Sequence, residues 1–126
     1  MFGRIASWWK AKQQERRDAL MFERRVVITH DDERVTVKFP SGEEQSIVWV
    51  AVNRIAIETN DSGPWGADFW WILEGPQNRC SYPQGATGEP EMLPLLQGRF
   101  AGFDHGAVIR ASSCTSNARF VCWERR

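Results

Sequence analysis

The 126-residue sequence has few of the residues that usually announce a chemistry: three cysteines, two histidines and one tyrosine. Cys80, Cys114 and Cys122 are odd in number and widely spaced, which excludes a disulfide framework and points to a reduced, cytoplasmic chain. There is no Cys-x-x-Cys, and His30 and His105 stand far apart. A zinc site draws about four N or S ligands from short paired spacings, so no metal and no cofactor is expected. No apolar run approaches the roughly 18 residues of a membrane span. Net charge is also missing: 16 basic residues balance 16 acidic ones, which removes the overall basic bias of a nucleic-acid binder. The N-terminus lacks the apolar core and small-residue cleavage site of a secretory signal.

The balance conceals a division. Residues 1–25 hold seven basic and three acidic side chains, a net +4, and the remainder is −4. Phe2, Ile5, Trp8 and Trp9 recur at close to helical spacing, and the good helix formers from Lys10 to Arg17 extend that pattern. The spacing predicts a helix from Ala6 to Phe22. Residues 1–25 are therefore read as a basic helical leader and 26–126 as a single α+β domain. The leader has three candidate surfaces: the domain itself, a second copy, or an anionic membrane that basic and aromatic residues would hold peripherally.

The body reads as strands, then helices, then a strand. Val26–Thr29 is β-branched, Asp31-Asp32 marks a turn, and Arg34–Phe39 alternates with Val35, Val37 and Phe39 inward. Pro40–Gly42 turns the chain. Gln45–Trp49 is a third strand and Val50–Asn53 a tight corner. Arg54–Thr59 alternates, with Ile55 and Ile57 inward and Arg54, Ala56 and Glu58 outward. Phe69–Leu73 and Arg79–Tyr82 are further strands. The stretch from Glu91 to Phe100 has helical spacing, with Pro90 in its first turn. Asp104 is suited to cap a second short helix bearing Ala107, Val108 and Ala111. Arg119–Glu124 is a last strand, apolar on both faces and so expected inside the sheet or well covered. The fold class is α+β: one mostly antiparallel, twisted sheet of about six to seven strands with two short C-terminal helices.

Several stretches taken together resemble a group of small, mostly uncharacterised bacterial proteins. They are Ser46–Trp49 through Ile55–Thr59, Asp68 to Leu73, Pro83-Gln-Gly-Ala-Thr-Gly88, Leu93–Leu96, Gly102-Phe-Asp104, Val108–Ala111 and Asn117-Ala-Arg-Phe-x-Cys-Trp123. The resemblance spans about residues 25–124 and leaves the leader outside. It implies no catalytic activity. Some of these proteins sit beside toxin systems, which implies an immunity-like role.

Catalytic chemistry finds little footing. Cys114, His105 and Asp104 are the only Cys/His/Asp group close in sequence. Nothing in the sequence lowers the thiol pKa or places a base within reach, and Asp104 is more simply a cap. The Gly85–Gly88 loop lacks the lysine of a phosphate cradle and runs into Glu89 and Glu91. No enzyme is expected; an unrecognised small-molecule pocket is the enzymatic alternative.

The seven tryptophans are the informative feature. Trp49, Trp71 and Trp123 sit in apolar strand contexts and are read as core. Trp70 and Trp71 are adjacent in a strand, so they point to opposite faces. If Trp71 packs inward, Trp70 lies outside, with Trp65 in the neighbouring Gly-Pro-Trp-Gly loop and Glu58, Asp61 and Asp68 around them. Aromatic residues with an acidic rim form a protein-binding patch. The competing reading has the leader covering this face, with Trp8 and Trp9 on Trp70. The function expected from sequence is non-enzymatic binding of another protein, toxin neutralisation being its sharpest form, with peripheral membrane association through the leader as the second class.

Overall fold

The structure is a computed structural model that describes residues 22–60 and 69–125. Leader residues Phe2, Ile5, Trp8 and Trp9 and loop residues Asp61, Trp65 and Asp68 lie outside the described residues.

Two antiparallel sheets replace the single sheet expected. The first has the order β1-β2-β3, from β1 (Val27–His30), β2 (Arg34–Lys38) and β3 (Glu44–Val48). The second has the order β6-β5-β4-β7, from β4 (Arg54–Thr59), β5 (Phe69–Glu74), β6 (Arg79–Pro83) and β7 (Ala118–Glu124). The break lies at the 3-10 turn Trp49–Ala51, where β3 ends and the chain changes sheets. The Trp49 ring is buried there, and its indole N–H donates to the Asp31 carbonyl at 2.8 Å, which pins the corner to the β1–β2 turn.

Period-two alternation sets the inward-facing residues of the strands. Val35, Val37, Ile55, Ile57, Trp71, Leu73, Cys80 and Tyr82 are all at most 2% exposed and share one core cluster. Two helices extend that core. Helix α1 (Glu89–Arg99) contributes Met92 and Leu96; helix α2 (His105–Ser112) contributes Ala107 and Ala111. The small alanines let α2 approach β7 and β4 closely. Asp104 caps α2 as the sequence suggests, its carboxylate accepting from the Ala107 N–H at 3.2 Å. Gly88 opens α1 at φ 94°, a conformation that suits glycine.

The last strand is a correction. β7 is the edge of the second sheet and lies beside β4 alone. Its two apolar faces have another cause. A register shift opposite Ile55/Ala56 places Val121 opposite Ala56 and Trp123 opposite Ile55, with Cys122 as the extra residue. Cys122 is thereby buried, Trp123 packs on Phe100 at 4.7 Å, and Val121 stays 41% exposed on the other face.

Each sheet edge is attended to, because an open ladder invites another chain. Along β1, the Thr87 carbonyl accepts from Ile28 N–H and the Thr87 N–H donates to the Val26 carbonyl, both at 2.9 Å. The edges β3 and β6 meet through side chains: Gln45 Oε1 accepts from the Ser81 N–H at 2.8 Å, and the Asn78 amide donates to the Ser46 carbonyl. On β7, the Cys122 carbonyl accepts from the Asp104 N–H at 2.7 Å.

Candidate functional site

The face of the second sheet turned away from the core is built in three rows, each set by strand register. The first row is Arg119, Glu58, Trp70 and Pro83; the second is Val121, Ala56, Ile72 and Ser81; the third is Glu124, Arg54, Glu74 and Arg79. An apolar row thus lies between two that carry charge. Opposite charges face one another across the strands: Arg54 pairs with Glu124, and Arg119 pairs with Glu58 at 2.7 Å and also with Glu74.

Arg119 explains a departure from the expected pattern. Ala56 lies on the outward face as predicted, yet it is 0% exposed. It sits between Val121 and Ile72, and the Arg119 guanidinium spans from Glu58 in the first row to Glu74 in the third, across the row that holds Ala56. A long cationic stem covers apolar surface while its head stays solvated. Ile72, also in the middle row, is only 3% exposed.

Trp70 and Trp71 divide as the alternation requires. Trp71 is 2% exposed and stacks with Tyr82 and Phe103, both at 6.4 Å between ring centroids. Trp70 is half-buried on the outer face, directly opposite Glu58. It lines a groove of about 400 Å3 between the second sheet and the β2–β3 hairpin. Trp70 and Ile72 form the floor; Phe39, Glu43 and Gln45 supply the hairpin wall, with Glu58 and Arg79 at the rim. The structure therefore brings together Trp70 and Glu58 of the predicted patch. Phe39, read as a core residue, packs against the core and lines this groove as well. Phe39, Glu43, Gln45 and Arg79 were not foreseen as groove residues, because the approach of β3 to β6 that makes the wall has no local sequence signal.

A larger groove of about 820 Å3 runs along β7 beside Ala101 and Gly102. Its polar groups are already engaged. Glu124 is paired with Arg54, and the Trp123 indole donates to the Ala101 carbonyl at 3.0 Å. Arg125 donates to the carbonyls of Val50 and Val52 and to Asn53 Oδ1.

The Cys114, His105 and Asp104 group does not assemble into a nucleophile and base. Asp104 faces the Ala107 N–H and Arg110; His105 Nδ1 lies 2.8 Å from Gln97 Nε2. The Cys114 sulfur meets Thr59 Oγ1 and Ser116. Hydrogen bonds from Ser116 and Thr59 hold its pKa below the ordinary thiol value. Burial does the opposite elsewhere, pushing Cys80 up to about 12 and Cys122 to about 11, so both are neutral thiols that act as packing groups. Among the described residues no group of three or more His, Cys, Asp or Glu could hold a metal ion. Glu89 and Gly88, at the end of the glycine loop, serve the start of α1. Among the described residues no helix is long and apolar enough to cross a membrane. No protein-family model, curated protein or solved structure matches this chain.

Proposed function

We propose that this protein is a non-enzymatic binding protein that receives another protein on the outer face of its second sheet. One observation carries the reading: of two adjacent tryptophans, Trp71 is enclosed in the core and Trp70 is set in the outer groove. Large aromatic rings with a polar rim are the side chains that anchor protein interfaces. Toxin neutralisation is the sharpest form of the proposal.

The test is affinity capture from the protein's own host with the full chain as bait. Trp70→Ala is expected to abolish capture while its far-ultraviolet circular dichroism and denaturation midpoint stay close to the parent's, since the ring is outside the core. A fold-neutral Trp70→Ala that captures the same partner as the parent overturns the proposal.

A further inference from the structure

The groove around Trp70 has a complement within the same chain. Residues 1–21 carry five basic and two acidic side chains, a net +3, whereas residues 22–126 carry eleven and fourteen, a net −3. The same 21 residues contain Phe2, Trp8 and Trp9. The groove offers an apolar floor of Trp70 and Ile72 and the carboxylate of Glu43, beside Arg79 and a Glu58 already paired with Arg119.

Attachment puts the two within reach. The described chain starts at Phe22, and residues 22–25 are fastened beyond the end of β6. Thr87 Oγ1 donates to the Arg24 carbonyl at 2.7 Å, and the Glu23 side chain lies against Gly85. Gly85 is two positions from Pro83, the cross-strand neighbour of Trp70. Residues 1–21 therefore join the body one short loop from the groove. The helix predicted from Ala6 to Phe22 would be about 25 Å long, and four strands at about 4.8 Å spacing are narrower than that.

We propose that residues 1–21 are the resting occupant of the Trp70 groove, bound in cis with their aromatic side chains over Trp70 and their basic ones toward Glu43. This rests on the reading of the groove as a docking surface and adds what fills it. A tethered segment acts at an effective concentration of the order of millimolar. An incoming partner must displace it, and its apparent affinity falls by the fraction of molecules with the groove open. The displacing partner then has the same chemistry as the segment it replaces, a basic surface with an aromatic anchor.

The experiment keeps the full chain and places a nitroxide at Ser7→Cys in a Cys114→Ser background. Cys80 and Cys122 are 0% and 1% exposed and stay unlabelled. The expected result is loss of the Trp70 indole and Ile72 methyl resonances at low salt, while Ile109 on α2 keeps its intensity. The lost signals should return at about 1 M salt, where the screening length is about 3 Å, and in a Lys10→Glu, Lys12→Glu variant. Dilution should leave the loss unchanged. Full Trp70 intensity at low salt, or a loss that fades on dilution because a second copy supplies the label, overturns the proposal. Capture that depends on Trp70 alongside an unbroadened Trp70 resonance removes the cis contact and leaves the docking surface standing.

Discussion

Trp70 and Trp71 are one position apart, and the strand's alternation sends them to opposite environments. The Trp71 side chain also acts on a charged group, favouring the ionised form of Glu89 at the start of α1. Burial nonetheless dominates there and raises the Glu89 pKa above its ordinary 4.5, the indole opposing the shift. A carboxyl raised on folding contributes its stability below the unfolded pKa and loses it as pH climbs through the folded one. Glu89→Gln is therefore expected to gain stability relative to the parent at pH 7, with a smaller difference at pH 4. Urea midpoints at the two values check it; an equal offset at both would remove the assigned cause. At this scale the sequence was legible wherever one residue's neighbours along the strand decide its direction, as for Trp70, Ile55 and Ile57. It was silent on Glu89, because the burial of that carboxylate comes from elements distant in sequence. Ala56 faces outward as its position predicts, but its enclosure was not legible, since the Arg119 side chain that spans its row comes from another strand.

The elements were read well from local signals. Periodicity located the strands, Asp104 the start of α2, and proline and glycine the turns. What local signals could not supply was adjacency. The Thr87 bridge to β1, the place of β7 at an edge and its bulge at Cys122 all depend on which segment lies alongside. Two glycines separate local conformation from adjacency. Gly42 and Gly88 have nearly the same backbone, φ 93° and 94°, which L side chains rarely adopt. A Cβ on Gly42 meets nothing within 4 Å, whereas one on Gly88 falls 2.6 Å from the Ile28 carbonyl oxygen. Gly42→Ala should then cost only the left-handed penalty of about 1–2 kcal/mol. Gly88→Ala should cost a further 1–3 kcal/mol, roughly the scale of an overpacked contact, because Ile28 cannot retreat without loosening its bond to Thr87. Denaturation midpoints for the pair decide the point; equal losses would mean that α1 shifts away freely.

Across the whole molecule, the two sheets share a core but no backbone ladder. Sequence could not distinguish this from one continuous sheet, since strand count and period are the same in both. The difference lies where β3 meets β6. A main-chain ladder there would give one seven-stranded sheet; instead Gln45 reaches across and accepts from both the N–H and the hydroxyl of Ser81, at 2.8 and 3.3 Å. That single amide also forms part of the wall of the Trp70 groove, so the seam and the candidate site share a residue. Gln45→Ala should leave the Ser81 N–H without its partner. Such a loss costs about 1–3 kcal/mol when the donor is fully buried, and the lower end is expected because Ser81 is only half-buried. The effect should be local in hydrogen exchange. The Ser81 amide should lose protection, while amides between β4 and β5, which rest on main-chain pairing, should keep theirs. Because Trp70 and Ile72 stand on β5, their side of the groove should survive in the variant and the hairpin side should loosen. Partner capture would then weaken without vanishing, unlike the loss expected for Trp70→Ala. If the β4–β5 amides lose protection together with Ser81, the two sheets open as one unit and Gln45 is no seam.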